Sequence, residues 1–205
     1  MITNRGRPVV ELRPPTTDKE VFPKELFHVS KHETMADMLK GQDVVVLLKL
    51  LGVAEPVPVR DLASQLGFDV AGTHRALRRL DEAGLYSAGR RRVFRAPAEE
   101  FLVHAAKFSF PPRWRAEARG VPTSWAAEPL KGELAESAGL PPVWPYSKGT
   151  VRGLALEPLH SMVPQAALED PGLWQRLALV DALRSNDSAR VSQLAAMLLR
   201  EKIGS

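Results

Sequence analysis

The stretch that decides the fold runs from Val59 to Leu85 and reads VRDLASQLGFDVAGTHRALRRLDEAGL. Its start predicts a short helix over residues 60–66, which ends at Gly67. Asp69 is a residue type that favours a helix N-cap, and a second helix is expected from Val70 to about residue 83. The side chains expected on its inner face follow helical spacing: Thr73, Ala76, Leu77 and Leu80. The stretch therefore predicts two helices joined by a tight turn.

The flanking residues extend this pattern in both directions. An apolar segment over residues 38–52 predicts a preceding helix, and the prolines of residues 56–59 predict a short extended connection. After Gly84, residues 85–88 and 92–95 form two strand-like runs around a glycine-containing turn, which predicts a β-hairpin. A further helix is expected over residues 98–106. The order of helix, short strand, helix, turn, helix and hairpin is that of a winged helix-turn-helix.

Two segments also resemble a known superfamily directly. Residues 59–67 resemble the first helix and turn of bacterial winged helix-turn-helix transcriptional regulators, and residues 73–85 resemble their recognition helix running into the wing. The resemblance covers about residues 42–96. It implies a mainly α fold with a small β-hairpin wing, and a DNA-binding function in transcription regulation. It also implies dimerisation through helices added to the module.

Four regions follow from the distribution of prolines, tryptophans and apolar residues. We expect an irregular N-terminal arm over residues 1–36 and the winged helix-turn-helix domain over residues 37–106. Residues 107–165 are rich in proline and contain three tryptophans, which predicts an extended segment packed against the rest. Residues 166–205 are expected to form a C-terminal helical pair. Its apolar stripe, within residues 173–203, predicts a homodimer interface.

The positive charge of the chain lies in the predicted module. The net charge is +4, and residues 60–95 alone contain eight arginines and four acidic residues. A helix in the major groove reads base edges, while a wing contacts the backbone or the minor groove. The predicted contacts to double-stranded DNA are Ala71, Gly72, His74, Arg75, Arg78, Arg79, Arg90, Arg91 and Arg92.

Other interpretations of the same residues remain open. Arginines on an exposed helix face are often only solvated, and a pair such as Arg78 and Glu82 contributes little. Winged helices also bind proteins. The outline of a small winged helix, a proline-rich segment and terminal helices is similar to antitoxins that neutralise nucleotidyltransferase-like toxins and repress their own operon. An antitoxin-like function is therefore the alternative to a regulator.

Several classes of function find little basis in the residues. The chain has no cysteine, and it lacks a glycine-rich phosphate loop and a nucleophile elbow. His28 and His32 have a spacing that can hold a metal, but no third ligand cluster accompanies them. We expect no enzyme activity, no cofactor and no metal site. The absence of a signal peptide and of a long apolar run predicts a cytoplasmic protein without membrane contact.

Overall fold

The computed structural model describes residues 38–133, 139–185 and 187–204, which pack as part of one compact unit. The predicted N-terminal arm, with His28 and His32, lies outside the described residues. Three helices come first: α1 at Gly41–Leu51, α2 at Val59–Leu66 and α3 at Val70–Glu82. The middle of helix α1 is apolar, and its residues 44–48 are at most 1 % exposed. It forms the centre against which α3 packs.

Local signals in the sequence set the boundaries of these helices. Gly67 ends α2 in the left-handed conformation with φ of 66°, which costs a glycine little. The carboxylate of Asp69 then accepts a hydrogen bond from the amide of Gly72 and caps α3. After α3, Gly84 again has a positive φ, of 69°. The chain then enters a two-stranded hairpin with β1 at Tyr86–Ser87 and β2 at Arg92–Val93.

The helix after the hairpin differs from the expected one in its start and length. It begins with α4 at Arg95–Glu100, continues through a π-helical turn at Phe101–Ala105 and ends with α5 at Ala106–Ser109. Pro97 therefore lies in its first turn, where its missing amide hydrogen leaves no hydrogen bond unmade. Ala98, Leu102 and Ala106 are buried along one side of this segment.

The proline- and tryptophan-rich segment contains a small closed barrel of three strands. Strand β3 at Trp114–Pro122 pairs antiparallel with β4 at Pro142–Pro145 and with β5 at Val151–Leu156, and β4 pairs parallel with β5. A short 3-10 turn at Ser124–Ala126 and helix α6 at Leu130–Glu133 follow β3. Residues 107–165 thus contain a sheet of their own, which the expectation of an extended segment did not include.

Two glycines permit this tight closure. A Cβ at Gly120 would lie 2.1 Å from the carbonyl oxygen of Trp144, and one at Gly153 would lie 1.9 Å from that of Pro141. Neither distance is possible for a real side chain, because it is far inside van der Waals contact. The backbones of the three strands approach each other so closely only because these positions lack a side chain.

The chain ends in helices α7 at Val163–Glu169, α8 at Pro171–Ser185 and α9 at Ala189–Gly204. The α8 side chains expected at a dimer interface, Leu173, Leu177, Val180 and Leu183, are at most 5 % exposed within this one chain. They pack in its own core and cannot form the surface of a dimer interface. A dimer through residues 173–203 would have to use the outer side of α9, where Met197 is 49 % exposed.

The architecture is mainly helical with little strand, as expected for the fold class. Among the described residues, a hydrophobic core extends from α1 through α8 to α9. Within the part of the chain that the structure describes, no helix combines the length and apolar character needed to cross a membrane.

Candidate nucleic-acid interface

Helix α3 presents an exposed stripe on the side opposite the core. Ala71, His74, Arg75 and Arg78 are all exposed, and their spacing puts them on one face of the helix. The side chains of Arg75 and Arg78 are 58 % and 61 % exposed. On the other side, Thr73, Ala76, Leu77 and Leu80 are buried as the periodicity predicts. The stripe therefore combines two guanidinium groups and an imidazole on a well-anchored helix.

Two residues predicted on this surface are instead buried, which corrects their assignment. Gly72 donates its amide hydrogen to the Asp69 carboxylate at 2.6 Å, and a Cβ there would lie 2.6 Å from the other oxygen of that carboxylate. Arg79 turns inward and is 4 % exposed. The amide hydrogen of Gly72 is thus already donated within the protein, and the guanidinium of Arg79 is not at the surface in this conformation.

Arg79 forms a two-bond ion pair with a buried acid of α1. Its Nε and Nη2 donate to the two oxygens of Asp43 at 2.7 and 2.5 Å. The hydrogen bonds with Asp43 raise the pKa of Arg79, against the opposing effect of burial. The charge of Arg79 therefore fixes α3 on α1. The positive charge at the exposed surface of α3 comes from Arg75 and Arg78.

Each exposed arginine of α3 has a nearby acid. Arg78 Nε lies 3.3 Å from Glu82, and Arg75 Nη2 lies 3.9 Å from the Asp69 carboxylate. Exposed pairs of this kind contribute only about 0–1 kcal/mol, because water and salt screen them. Both guanidinium groups can therefore exchange these partners for a phosphate or a base at little cost.

The hairpin places three consecutive arginines in and beside its loop. Its register pairs Tyr86 with Val93 and Ser87 with Arg92, so that residues 88–91 form the loop. The amide of Arg90 donates to the hydroxyl of Ser87, which closes the loop. The side chains of Arg90 and Arg92 are exposed. They add two cations at the tip and edge of the hairpin.

Arg91 has a structural function within the hairpin. It has a positive φ of 51°, and its Nη2 donates to the carbonyl oxygen of Val57 at 2.9 Å. Burial raises the pKa of Tyr86, an effect that the charge and hydrogen bond of Arg91 oppose. Arg91 thus joins the hairpin to the connection between α1 and α2, and only part of its guanidinium is available for a ligand.

Asp43 is the residue of this region that sequence reasoning missed. Its signal was present, because a single acid in the apolar run of α1 needs a buried partner. The sequence did not identify this partner, because Arg79 is 36 positions away. Among the described residues, no group of His, Asp and Glu side chains could hold a metal ion.

Comparisons with known proteins add no assignment. No protein-family model, no curated protein and no solved structure matches this chain. Any function must therefore be inferred from the side-chain geometry of helix α3 and the hairpin.

Proposed function

We propose that residues 41–93 form a winged helix-turn-helix that binds double-stranded DNA in a sequence-specific manner and regulates transcription. The observation that carries the proposal is the exposed stripe of α3, on which His74, Arg75 and Arg78 lie together. The major groove is about 12 Å wide and admits one helix, whose N-terminal residues reach the base edges. The buried Asp43–Arg79 pair and the cap at Asp69 hold α3 in place for this contact.

The position of each side chain along α3 suggests its contact. Ala71 and Arg75 lie in the N-terminal half, where a small side chain suits a thymine methyl group and a guanidinium suits the O6 and N7 atoms of guanine. His74 suits a base or a phosphate. Arg78 lies a turn further on, next to Glu82, and suits a phosphate. A bidentate arginine–guanine pair contributes about 1–3 kcal/mol of discrimination.

The hairpin arginines suit the sugar-phosphate backbone or the minor groove beside the recognition helix. Arg90, Arg91 and Arg92 are all exposed, and Arg90 and Arg92 are the residues proposed for this contact because Arg91 already donates to the carbonyl oxygen of Val57. Arg91 is expected to act mainly by holding the hairpin against Val57. Contacts of this kind position the protein and carry little sequence information.

The test is fluorescence anisotropy of the full chain on the duplex upstream of its own gene and on a scrambled duplex, each over a salt series. We expect tighter binding to the first duplex. Replacement of both Arg90 and Arg92 by alanine should weaken binding to both duplexes. The slope of log K against log salt should fall by about 1.8, since each lost phosphate contact contributes about 0.9.

Two further variants separate base reading from general attraction. Arg75→Ala should reduce the preference for one base position while affinity for the scrambled duplex changes little. Arg119→Ala removes one exposed positive charge from the barrel strand β3 and should leave both affinities unchanged. Absence of binding to either duplex at about 50 mM salt, where phosphate contacts are strong, would overturn the proposal.

A further inference from the structure

The side of helix α9 that faces away from the core carries a stripe of exposed side chains. Arg190, Met197 and Glu201 are all exposed. Their spacings of seven and four residues put them on one face of the helix, and half-buried Leu194 lies at the edge of the same face. The buried side chains of α9 are Val191, Ala195, Ala196, Leu199 and Ile203. The stripe therefore lies opposite the contact of α9 with its own core.

The two charged ends of this stripe differ from the charges beside them. Arg200, next to the stripe, forms an ion pair with Glu99 at 2.9 Å. Arg190 and Glu201 take no part in the ion pairs that the described side chains form with one another. The stripe thus has a guanidinium at its N-terminal end, a carboxylate at its C-terminal end and apolar side chains between them.

The stripe is complementary to itself when it runs in the opposite direction. The midpoint between Arg190 and Glu201 in the sequence is also the midpoint between Leu194 and Met197. A two-fold axis at this midpoint makes two copies of α9 antiparallel. It brings Arg190 opposite Glu201 of the second copy and Leu194 opposite Met197 of the second copy. Because a two-fold interface repeats every contact, each of these pairs forms twice.

We propose that the outer side of α9 is a homodimer interface, in which α9 packs antiparallel against α9 of a second copy. The second copy is the occupant because one register satisfies both the charged pairs and the apolar pairs. Parallel packing would instead place like charges opposite each other at both ends. The interface leaves α8 in the core, where its apolar side chains already pack.

The size of this surface sets the expected strength of the dimer. Helix α9 has 16 residues and is about 24 Å long. The outer face of one such helix falls short of the roughly 800 Å² per partner that standard interfaces bury. We therefore expect a reversible dimer with a dissociation constant in the micromolar range. The charged pairs at its ends mainly fix the antiparallel direction.

The test is sedimentation velocity of the full chain without DNA, over concentrations from about 1 to about 100 µM, which bracket a micromolar dissociation constant. We expect the average mass to rise from the 22.6 kDa of one chain toward twice that value. A parent chain that stays monomeric over the whole range would overturn the proposal. Since no DNA is present, this outcome would not affect the proposed DNA binding.

Two charge reversals test the register. Arg190→Glu puts two acids opposite each other at both ends of the interface, and Glu201→Arg puts two bases there. Each variant alone should dimerise about tenfold less tightly than the parent, because attractive pairs become repulsive. An equal mixture of the two variants restores opposite charges at both ends and should form a heterodimer. Far-ultraviolet circular dichroism should show the parent fold in each, since both positions are exposed.

The matched control is Arg119→Glu, which makes the same reversal at an exposed position of β3. It should dimerise like the parent. Met197→Ser should weaken the dimer, because it removes an apolar contact that forms twice. If both single reversals dimerised as tightly as the parent, or if their mixture stayed monomeric, the antiparallel α9 interface would be wrong.

Discussion

At the residue scale, the Asp43–Arg79 pair shows how an arginine of a largely exposed stripe can be buried by a single acidic partner. The side chains of both residues are at most 4 % exposed, and Asp43 also accepts a hydrogen bond from the amide of Lys40 at the start of α1. The pair therefore fixes two helices and caps one of them. Its neighbour Arg78, one position earlier, is exposed. The same residue type thus has opposite functions at adjacent positions of α3.

Removal of one partner of this pair should be strongly destabilising. Arg79→Met is expected to lower the free energy of unfolding by about 3–5 kcal/mol, because it leaves a buried carboxylate without its cation. Urea denaturation followed by circular dichroism measures the loss. Addition of Asp43→Asn to Arg79→Met should recover part of the stability, because the unpaired charge is then gone.

Arg78→Met is the matched control, since it removes the same charge from an exposed position of the same helix. It should change the free energy of unfolding by no more than about 0.5 kcal/mol. If Arg78→Met and Arg79→Met were equally stable, the buried pair would not be what fixes α3 on α1.

At the element scale, the turn between α2 and α3 rests on the residues that lead into α7. The Nδ1 atom of His160 accepts a hydrogen bond from the amide of Met162 at 3.2 Å. The ring of His160 meets that of Phe68 edge to face, with centroids 4.5 Å apart. The position of the turn therefore depends on a neutral histidine far away in the sequence.

This contact predicts a pH dependence of stability. Burial lowers the pKa of His160 below its usual value. The unfolded chain therefore takes up a proton at pH values where the folded chain remains neutral. The contribution of His160 should be complete above about pH 6.5, the pKa of an unperturbed histidine, and should be lost as the pH falls below it. Urea midpoints measured from pH 8 to pH 5 report this decline.

Two histidine variants isolate the source of the decline. His160→Asn supplies a neutral acceptor in place of Nδ1 and should flatten the dependence between pH 8 and pH 5. His104→Asn changes an exposed histidine and should leave the dependence as it is in the parent. A decline that persists in His160→Asn would place its origin in other groups.

At the scale of the whole molecule, one carboxylate joins the barrel to the helical core. Asp181 of α8 accepts hydrogen bonds from Trp144 Nε1 at 2.6 Å and from the Thr123 hydroxyl at 2.9 Å. Its other oxygen accepts from Arg184 at 2.5 Å, and Arg184 also donates to the carbonyl oxygen of Phe110. These bonds connect β4, the end of β3 and the end of α5 through a single helix.

The network predicts that barrel and helices unfold together. In urea, the tryptophan fluorescence and the far-ultraviolet circular dichroism of the parent should change at the same midpoint. Asp181→Asn should lower the free energy of unfolding by about 3–5 kcal/mol, because it leaves Arg184 buried without its ion pair.

Thr123→Val removes one neutral donor and keeps the shape of the side chain. It should cost only about 1 kcal/mol, the usual worth of a single hydrogen bond. Separate midpoints for fluorescence and circular dichroism in the parent would mean that the barrel folds independently of α8.

Local signals were enough to predict the elements that contain them. Residues 59–84 have their own helix periodicity, an N-cap at Asp69 and glycines at both turns, and the structure has helices within about two residues of the expected limits. The exposed positions of Ala71, His74, Arg75 and Arg78 followed from the same periodicity. Their contact with DNA stays a prediction, because no observation on the chain alone tests it.

Features that depend on partners far apart in the chain became visible only in the folded molecule. Arg79 lies at the edge of the α3 stripe, and it points inward because Asp43, 36 residues earlier, is its buried partner. Gly120 and Gly153 have ordinary turn composition locally, and their necessity arises from strands that meet across a barrel. A sequence pattern reports on neighbours within a few residues, whereas burial and charge pairing depend on tertiary contacts.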